Sequence, residues 1–144
     1  MNDSSQDRLP DIVKTARFDA PIQKVWDAVA TSSGIASWFM PNDFEPYVGH
    51  EFTLQTNFGP VSYKVTEVEP PYRMSFDWDN FGWHVAFELE EINGETELKL
   101  THSGWGAPDE LIPRVQQPNS VIHDVMNNGW EPGINESLRK VVEG

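Results

Sequence analysis

The sequence contains no cysteine, which excludes disulfide bonds and thiolate-bound metal sites. Basic residues are scarce, since 10 lysines and arginines stand against 23 aspartates and glutamates, a formal net charge of −13. Such an acidic chain repels phosphate backbones, so we expect no nucleic-acid partner. No apolar run approaches the ~18 residues of a membrane span. The polar start, MNDSSQDRLP, lacks the regions of a signal peptide, and we expect a cytoplasmic protein.

The length predicts a single domain, because 144 residues lie near the usual size of one. Residues 1–10 are rich in polar side chains and are interpreted as a flexible N-terminal tail. Residues 11–144 contain neither repeats nor linkers and are expected to form the domain itself.

The first part of the chain predicts one strand and two short helices. The strand is expected over residues 12–19. Asp19 is suited to cap the helix that follows, and Pro21 to occupy its first turn. Apolar residues then recur at helical spacing, at Ile22, Val25, Trp26 and Val29. After a break at 31–34, a second short helix is expected around Ile35 and Trp38.

From residue 47 the apolar period changes to two, which is typical of strands with one buried face. Val68 breaks this alternation and predicts a bulge or a register change near Glu67. The pair Asn93-Gly94 is a strong signal for a hairpin. Five consecutive antiparallel strands are therefore predicted. Their apolar positions include Phe52, Leu54, Val61, Tyr63, Val65, Met74, Phe76, Trp78, Trp83, Val85, Phe87, Leu89, Leu98, Leu100 and His102.

The C-terminal part predicts a loop and a long helix. Residues 103–118 hold several prolines and glycines and are expected to form a loop, which could include a short helical turn. Asn119 or Ser120 is expected to cap the final helix. Pro132 and Gly133 should kink that helix, because proline lacks a backbone donor and clashes with the preceding turn. The helix has an apolar stripe at Ile122, Met126, Trp130, Ile134, Leu138 and Val141.

These elements predict an α+β fold of the order β-α-α-β5-α. The sheet would be six-stranded, antiparallel and curved, and its single apolar face needs a cover. The C-terminal helix has the longest apolar stripe and is expected to lie across it. A curved sheet around one helix leaves space between them, so we expect an internal cavity.

Aromatic residues on the predicted inner faces are the candidate ligand-binding residues. Either they only fill the core, or some of them line the cavity. His102 shares the parity of Leu98 and Leu100, so it should point inward and could bond a ligand carbonyl or hydroxyl. The alternative is a core histidine satisfied by a carbonyl or by water. The full candidate set is Trp38, Phe39, Met74, Phe76, Trp78, Trp83, Phe87, His102, Trp105, Met126 and Trp130.

The sequence provides little support for metal, cofactor or nucleophilic chemistry. The four histidines lack ligand spacing, and no glycine-rich phosphate loop is present. There is no Gly-x-Ser-x-Gly motif. We therefore expect no metal and no cofactor, and we favour a protein that is not an enzyme.

Six short stretches of the sequence together form a recognisable set of motifs: Phe18–Pro21, Val25-Trp26, Ser37–Phe39, Tyr72–Trp78, Leu100–Trp105 and Gly129-Trp130. They resemble those of the START-like superfamily, also called SRPBCC or polyketide cyclase-like, which has the helix-grip fold. The closer resemblance is to the branch named for the C-terminal domain of the activator of heat-shock-protein-90 ATPase. The resemblance covers residues 11–143 and implies a curved sheet gripping one helix. Glu131, Pro132 and Gly133 depart from it, because the family is expected to have a smoother helix.

The superfamily includes carriers, interaction modules and enzymes, so three functions are considered, and the aromatic residues on the predicted inner faces favour the first over the two alternatives. The first is a binding protein that holds a hydrophobic small molecule, such as a lipid, a polyketide or a flavonoid-like compound. The second is a chaperone-associated or stress-response interaction module. The named activators carry a further N-terminal domain for which 144 residues leave no room, so we do not expect activation of that chaperone. The third is a cyclase or hydrolase that uses His102. We expect a monomer or a weak homodimer.

Overall fold

The computed structural model describes residues 8–39, 42–56, 59–78, 83–112 and 116–143. Its six long strands are β1 (Ile12–Phe18), β2 (Glu51–Thr56), β3 (Gly59–Glu69), β4 (Arg73–Trp78), β5 (Trp83–Ile92) and β6 (Glu95–Ser103). They form one antiparallel sheet in the order β1-β6-β5-β4-β3-β2. The predicted α+β fold is therefore confirmed, with a meander from β2 to β6 and with β1 paired to the outer side of β6.

The helices lie before the meander and after it. Two short helices, α1 (Ile22–Val29) and α2 (Ser32–Trp38), connect β1 to β2. The final helical run spans residues 119–143 without interruption and consists of α3 (Asn119–Pro132), a π-helical segment (Gly133–Leu138) and α4 (Arg139–Glu143). In the π-helical segment the turns are wider than in an α-helix.

The period-two alternation correctly predicts which face of the strands is buried. In β5 the side chains of Trp83, Val85 and Phe87 are buried, in register with buried residues of β4 and β6. The predicted bulge is confirmed, since the β3–β4 register shifts between Val65 and Glu67. Asn93 and Gly94 both have positive φ, 53° and 84°, as the tight turn between β5 and β6 requires.

The start of α1 differs from the expectation. Pro21, and not Asp19, is the N-cap residue of α1, and no side chain caps that helix. The backbone N–H of Asp19 instead donates to the carboxylate of Glu143 at 2.8 Å, which attaches this turn to the last helix. In α2 the cap has the usual form, because the hydroxyl of Thr31 accepts from the N–H of Gly34 at 3.0 Å.

The final helix also begins without a side-chain cap. Asn119 is already helical, and Pro118 precedes it as N-cap. The amide of Asn119 holds the preceding loop instead, donating to the carbonyl of Glu110 at 2.7 Å and accepting from the N–H of Gly106 at 2.9 Å. The predicted loop over 103–118 includes a small two-stranded sheet, Leu111–Ile112 with Gln117–Pro118, and residues 113–115 lie outside the described part.

The irregularity predicted at Pro132 and Gly133 takes the form of a wider helical turn. Because proline cannot donate to the preceding turn, the hydrogen-bond pattern changes there and the π-helical segment follows. Trp130, Ile134, Leu138 and Val142 are all buried at a spacing of four. In a regular α-helix that spacing turns by about 40° per step, and a wider turn reduces this drift. The helix therefore buries Val142 fully, whereas Val141, which was expected on the apolar stripe, is only partly buried.

The core lies between the sheet and the helices, as predicted. Buried side chains of the final helical run share one hydrophobic cluster with the inward-facing residues of the strands. At the N-terminus, residues 1–7 of the predicted tail lie outside the described part, and the N–H of Leu9 donates to the carbonyl of Gly106 at 3.0 Å. Within the described residues, none of the helices is long and apolar enough to cross a membrane.

Candidate functional site

An apolar cavity lies between the sheet and the helices. It offers about 10 Å³ to the centre of a water-sized sphere, which is the room of about one water molecule. A larger guest therefore requires side chains to move. Five of the sequence-predicted site residues contribute to its wall, which consists of Val29, Ile35, Trp38, Phe39, Phe52, Met74, Phe76 and Phe87.

A second group of predicted residues surrounds His102, which is fully buried. The ring of Trp78 stacks on the imidazole at a centroid distance of 5.4 Å. Trp83 and Trp105 approach it at 4.7 and 4.8 Å. The strands explain this arrangement, because Trp83 pairs with Trp78, while His102 pairs with Val85 one row further along the sheet.

Hydrogen bonds hold the imidazole and its neighbours in fixed orientations. The indole N–H of Trp130 donates to Nδ1 of His102 at 3.0 Å. The indole N–H of Trp105 donates to the backbone carbonyl of His102 at 3.1 Å. The helix and the loop after β6 are thus both joined to one residue of the sheet.

The state of His102 follows from its burial and from this geometry. Burial lowers the pKa of His102 to about 3, with a smaller contribution from the charge of His123, so the ring is neutral near pH 7. A neutral imidazole carries one proton, and Nδ1 accepts from Trp130, so the proton is on Nε2. Nε2 has no hydrogen-bond partner among the described residues. The site therefore contains a buried donor that a ligand oxygen can satisfy.

Tyr63 is a further candidate that the sequence analysis did not select. Its hydroxyl is buried and has no hydrogen-bond partner in the described part of the chain. Burial raises the pKa of this hydroxyl, so it stays protonated. The rings of Tyr63 and His102 contact Trp78 at 5.0 and 5.4 Å. Its position on the apolar parity of β3 was a usable signal, since a buried hydroxyl needs a partner.

Trp130 connects the cavity wall to the His102 group. Its ring stacks on Phe39 at 5.6 Å and meets Phe87 edge-on at 6.5 Å. Met126, predicted as part of the same wall, is half-buried on α3 and packs against the core, but it is not among the residues that line the cavity. The structure thus brings ten of the predicted residues into two adjoining groups.

Two other histidines, His84 and His123, have polar neighbours of their own. No group of three or more metal-ligating side chains occurs among the residues that the structure describes. His84 lies on the outer face and pairs with Asp77 at 2.8 Å. His123 contacts the ring of Trp105, and its Nε2 lies 2.9 Å from the carbonyl of Pro10.

A protein family and several solved structures are similar to this chain. The family described as "Activator of Hsp90 ATPase homolog 1-like protein" matches residues 19–143. No curated protein is similar enough to count as a match. The solution structure of Bacillus halodurans protein BH1534 is 47% identical, with a TM-score of 0.88, over 94% of this chain and 98% of that one.

Two further solved structures share the architecture. The crystal structure of CalU16 from Micromonospora echinospora has 26% identity and a TM-score of 0.69, over 89% of this chain and 71% of that one. The Aha1 dimer from Colwellia psychrerythraea has 20% identity and a TM-score of 0.77, over 94% of this chain and 97% of that one. At that identity the second structure shows the fold alone.

Proposed function

Because the chain belongs to the activator of Hsp90 ATPase homolog 1-like family, whose fold supports a small ligand-binding domain, we propose that it holds a hydrophobic small molecule. The ligand class is a lipid, a polyketide or a flavonoid-like compound. It would lie between the sheet and the C-terminal helix, with His102 as its polar anchor. The observation that carries the proposal is the buried Nε2–H of His102, which has no partner among the described residues. His102 does not line the apolar cavity itself, but its partner Trp130 contacts Phe39 and Phe87 of the cavity wall.

The apolar wall supplies the driving force for binding. Phe76, Phe87 and Met74 are almost fully buried and present only apolar surface to the cavity. Removing apolar ligand surface from water stabilises the complex by about 25 cal/mol per Å². Pockets that take drug-sized ligands measure roughly 300–1,000 Å³, so the ligand must displace one or more of the lining rings.

The buried donor supplies selectivity. A buried polar group without a partner costs about 1–3 kcal/mol, and a ligand oxygen that accepts from Nε2–H recovers part of that cost. A ligand of the same shape without an oxygen recovers none of it. The proposed ligand therefore combines an apolar body with a hydrogen-bond acceptor such as a carbonyl group.

A matched pair of ligands tests this anchor. The protein is titrated with 2-acetylnaphthalene and 2-ethylnaphthalene, which differ by one carbonyl oxygen, and the tryptophan fluorescence is followed. We expect the ketone to bind up to about tenfold more tightly, the effect of one hydrogen bond. His102→Phe should abolish this preference, and His84→Gln on the outer face should retain it.

A wider panel tests the binding function itself. Fatty acids, aromatic polyketides and flavonoids are titrated in the same way, and freshly purified protein is inspected by native mass spectrometry for a bound molecule. A saturable response with one class supports the proposal. Absence of any response with all three classes, together with an unloaded protein, would contradict it.

The other functions have less support. An enzyme that uses His102 as a proton donor would need the imidazolium, which the lowered pKa of about 3 disfavours near neutral pH. The dimer of the Colwellia protein suggests a test for a weak homodimer by sedimentation. Association with a chaperone, a stress-response role and a cytoplasmic location stay predictions from the sequence.

A further inference from the structure

Three aromatic rings form a stack at the end of α2. Phe39 lies between Trp38 and Trp130, with centroid distances of 5.3 and 5.6 Å and interplanar angles of 23° and 28°. The two outer rings belong to different elements, α2 and α3. The middle ring follows the last residue of α2.

The outer rings of the stack are fixed by their polar atoms. The indole N–H of Trp38 donates to the carbonyl of Ala28 at 2.8 Å, and that of Trp130 donates to Nδ1 of His102 at 3.0 Å. Both tryptophans are buried. Rotating either indole would break a buried hydrogen bond and leave its polar atoms unpaired, which is costly in the interior. The walls of the stack are therefore preorganised.

The middle ring is held only by packing. The phenyl group of Phe39 has no polar atom, and the residue is only half-buried, although it also lines the cavity. Its ring therefore lies between the cavity and the surface. Moving it outward breaks no side-chain hydrogen bond and leaves a space between the two indoles, which stack on the present ring at 23° and 28° from parallel, in contact with the cavity.

We infer that this space is the ring-binding subsite, and that a planar aromatic ring of the ligand replaces the Phe39 ring between Trp38 and Trp130. The inference rests on the proposed function and narrows the ligand to aromatic compounds. The two indoles already stack on a planar ring, and stacking between aromatic rings strengthens the contact of a flat, polarizable guest beyond the burial of its area. A saturated ring or an alkyl chain lacks this contribution.

Truncation of the middle ring tests the inference. The protein and Phe39→Ala are titrated by calorimetry with 2-naphthol and with decahydro-2-naphthol, which share one carbon skeleton and one hydroxyl group but differ in planarity. We expect F39A to bind 2-naphthol about tenfold more tightly than the unmodified protein, because the binding-competent state no longer requires displacement of the Phe39 ring. Its affinity for the saturated compound should change much less.

A matched control separates the subsite from a general loosening of the core. Phe44→Ala removes the same ring from a buried position against Phe52, outside the stack. F44A should leave the ratio of the two affinities unchanged. Phe39→Trp, which fills the space more completely, should weaken 2-naphthol binding. If F39A does not fold, Phe39→Leu replaces it. F39L should then strengthen 2-naphthol binding while F39W weakens it, and the same direction of change in both variants would overturn the inference.

The outcomes distinguish this inference from the proposed function. An equal increase in affinity for 2-naphthol and decahydro-2-naphthol in F39A would overturn the aromatic subsite. The same selective increase for 2-naphthol in F44A would also overturn it. Binding of fatty acids with no effect of the Phe39 variants would also overturn it, while the binding function stands. Failure of every apolar probe with every variant would contradict both.

Discussion

Trp130 on the C-terminal helix donates its indole N–H to Nδ1 of His102 on β6, at 3.0 Å and across 28 positions of the sequence. Both side chains are buried. This bond joins the covering helix to the inner face of the sheet. It also selects the tautomer of His102, and so determines which ring nitrogen is left as a donor for a ligand.

Loss of the Trp130 donor should lower the stability of the protein and alter the tautomer equilibrium of His102. Trp130→Phe keeps the aromatic packing but leaves Nδ1 of His102 without its donor, which should lower the free energy of unfolding by about 1–3 kcal/mol. Urea unfolding measures that loss, and ¹⁵N chemical shifts report the tautomer. Trp38→Phe is the control, because it removes a comparable bond, to the carbonyl of Ala28, without touching His102. Identical imidazole shifts in W130F and the unmodified protein would contradict the assignment.

His102 should also make stability depend on pH. Its pKa is about 3 in the folded protein, against 6.5 for an ordinary histidine. Between these values the unfolded chain binds a proton that the folded chain does not, so falling pH favours unfolding. The free energy of unfolding should decrease below about pH 6.5, by up to about 1.4 kcal/mol per pH unit from this residue.

Urea midpoints at pH 7, 5.5 and 4 measure this dependence. In His102→Phe the free energy of unfolding should decrease less on acidification, because the phenylalanine at position 102 does not titrate. His84→Gln should not, since His84 is on the outer face. The many carboxylates contribute equally to all three proteins, so the comparison isolates the histidine. The same slope in H102F and the unmodified protein would show that His102 is not the buried neutral base described here.

The fold was predictable wherever one physical preference dominates. Alternation along each strand shows the buried face, because successive side chains point to opposite sides. The bulge near Glu67 was visible as a break in that alternation at Val68. Asn93 and Gly94 predicted their turn because few other residues adopt positive φ at low cost.

The remaining features depend on contacts between distant parts of the chain. The sequence cannot show that Asn119 holds Glu110 and Gly106 and does not cap its own helix. Similarly, the parity of His102 predicted its burial, whereas its partner Trp130 is set by how the helix lies on the sheet. The wider turn after Pro132 accommodates the missing backbone donor of the proline and keeps Trp130, Ile134, Leu138 and Val142 on the buried side of the helix.

Two glycines should respond in opposite ways to the same substitution. At Gly34 in α2, an added Cβ would lie 2.0 Å from the carbonyl oxygen of Asp27 and 2.8 Å from Cα of Ala28, both in α1. Backbone atoms cannot yield easily, so Gly34→Ala should destabilise by at least about 3 kcal/mol or prevent folding. At Gly129, exposed on α3, an added Cβ meets nothing within 4 Å.

Gly129→Ala should therefore stabilise the protein by up to about 1 kcal/mol, the difference in helix propensity. Thermal unfolding of the two variants provides the measurement, and G129A serves as the control for G34A. A mild effect of G34A would mean that α2 does not pack against α1 as closely as described.

Asn119 should control the loop that precedes the final helix. Its amide contacts the backbone of Gly106 and Glu110, and it is buried. Asn119→Ala leaves the N–H of Gly106 without this acceptor, whereas the carbonyl of Glu110 keeps its 2.8 Å bond from the backbone N–H at position 119, so the cost should be about 1 kcal/mol. Asn119→Asp keeps an acceptor for the N–H of Gly106 but loses the donor to Glu110. Hydrogen exchange at the Gly106 amide should therefore accelerate strongly in N119A and less in N119D. Equal exchange rates in the two variants would show that the loop is held by other contacts, such as the 3.0 Å bond from Leu9 to the Gly106 carbonyl.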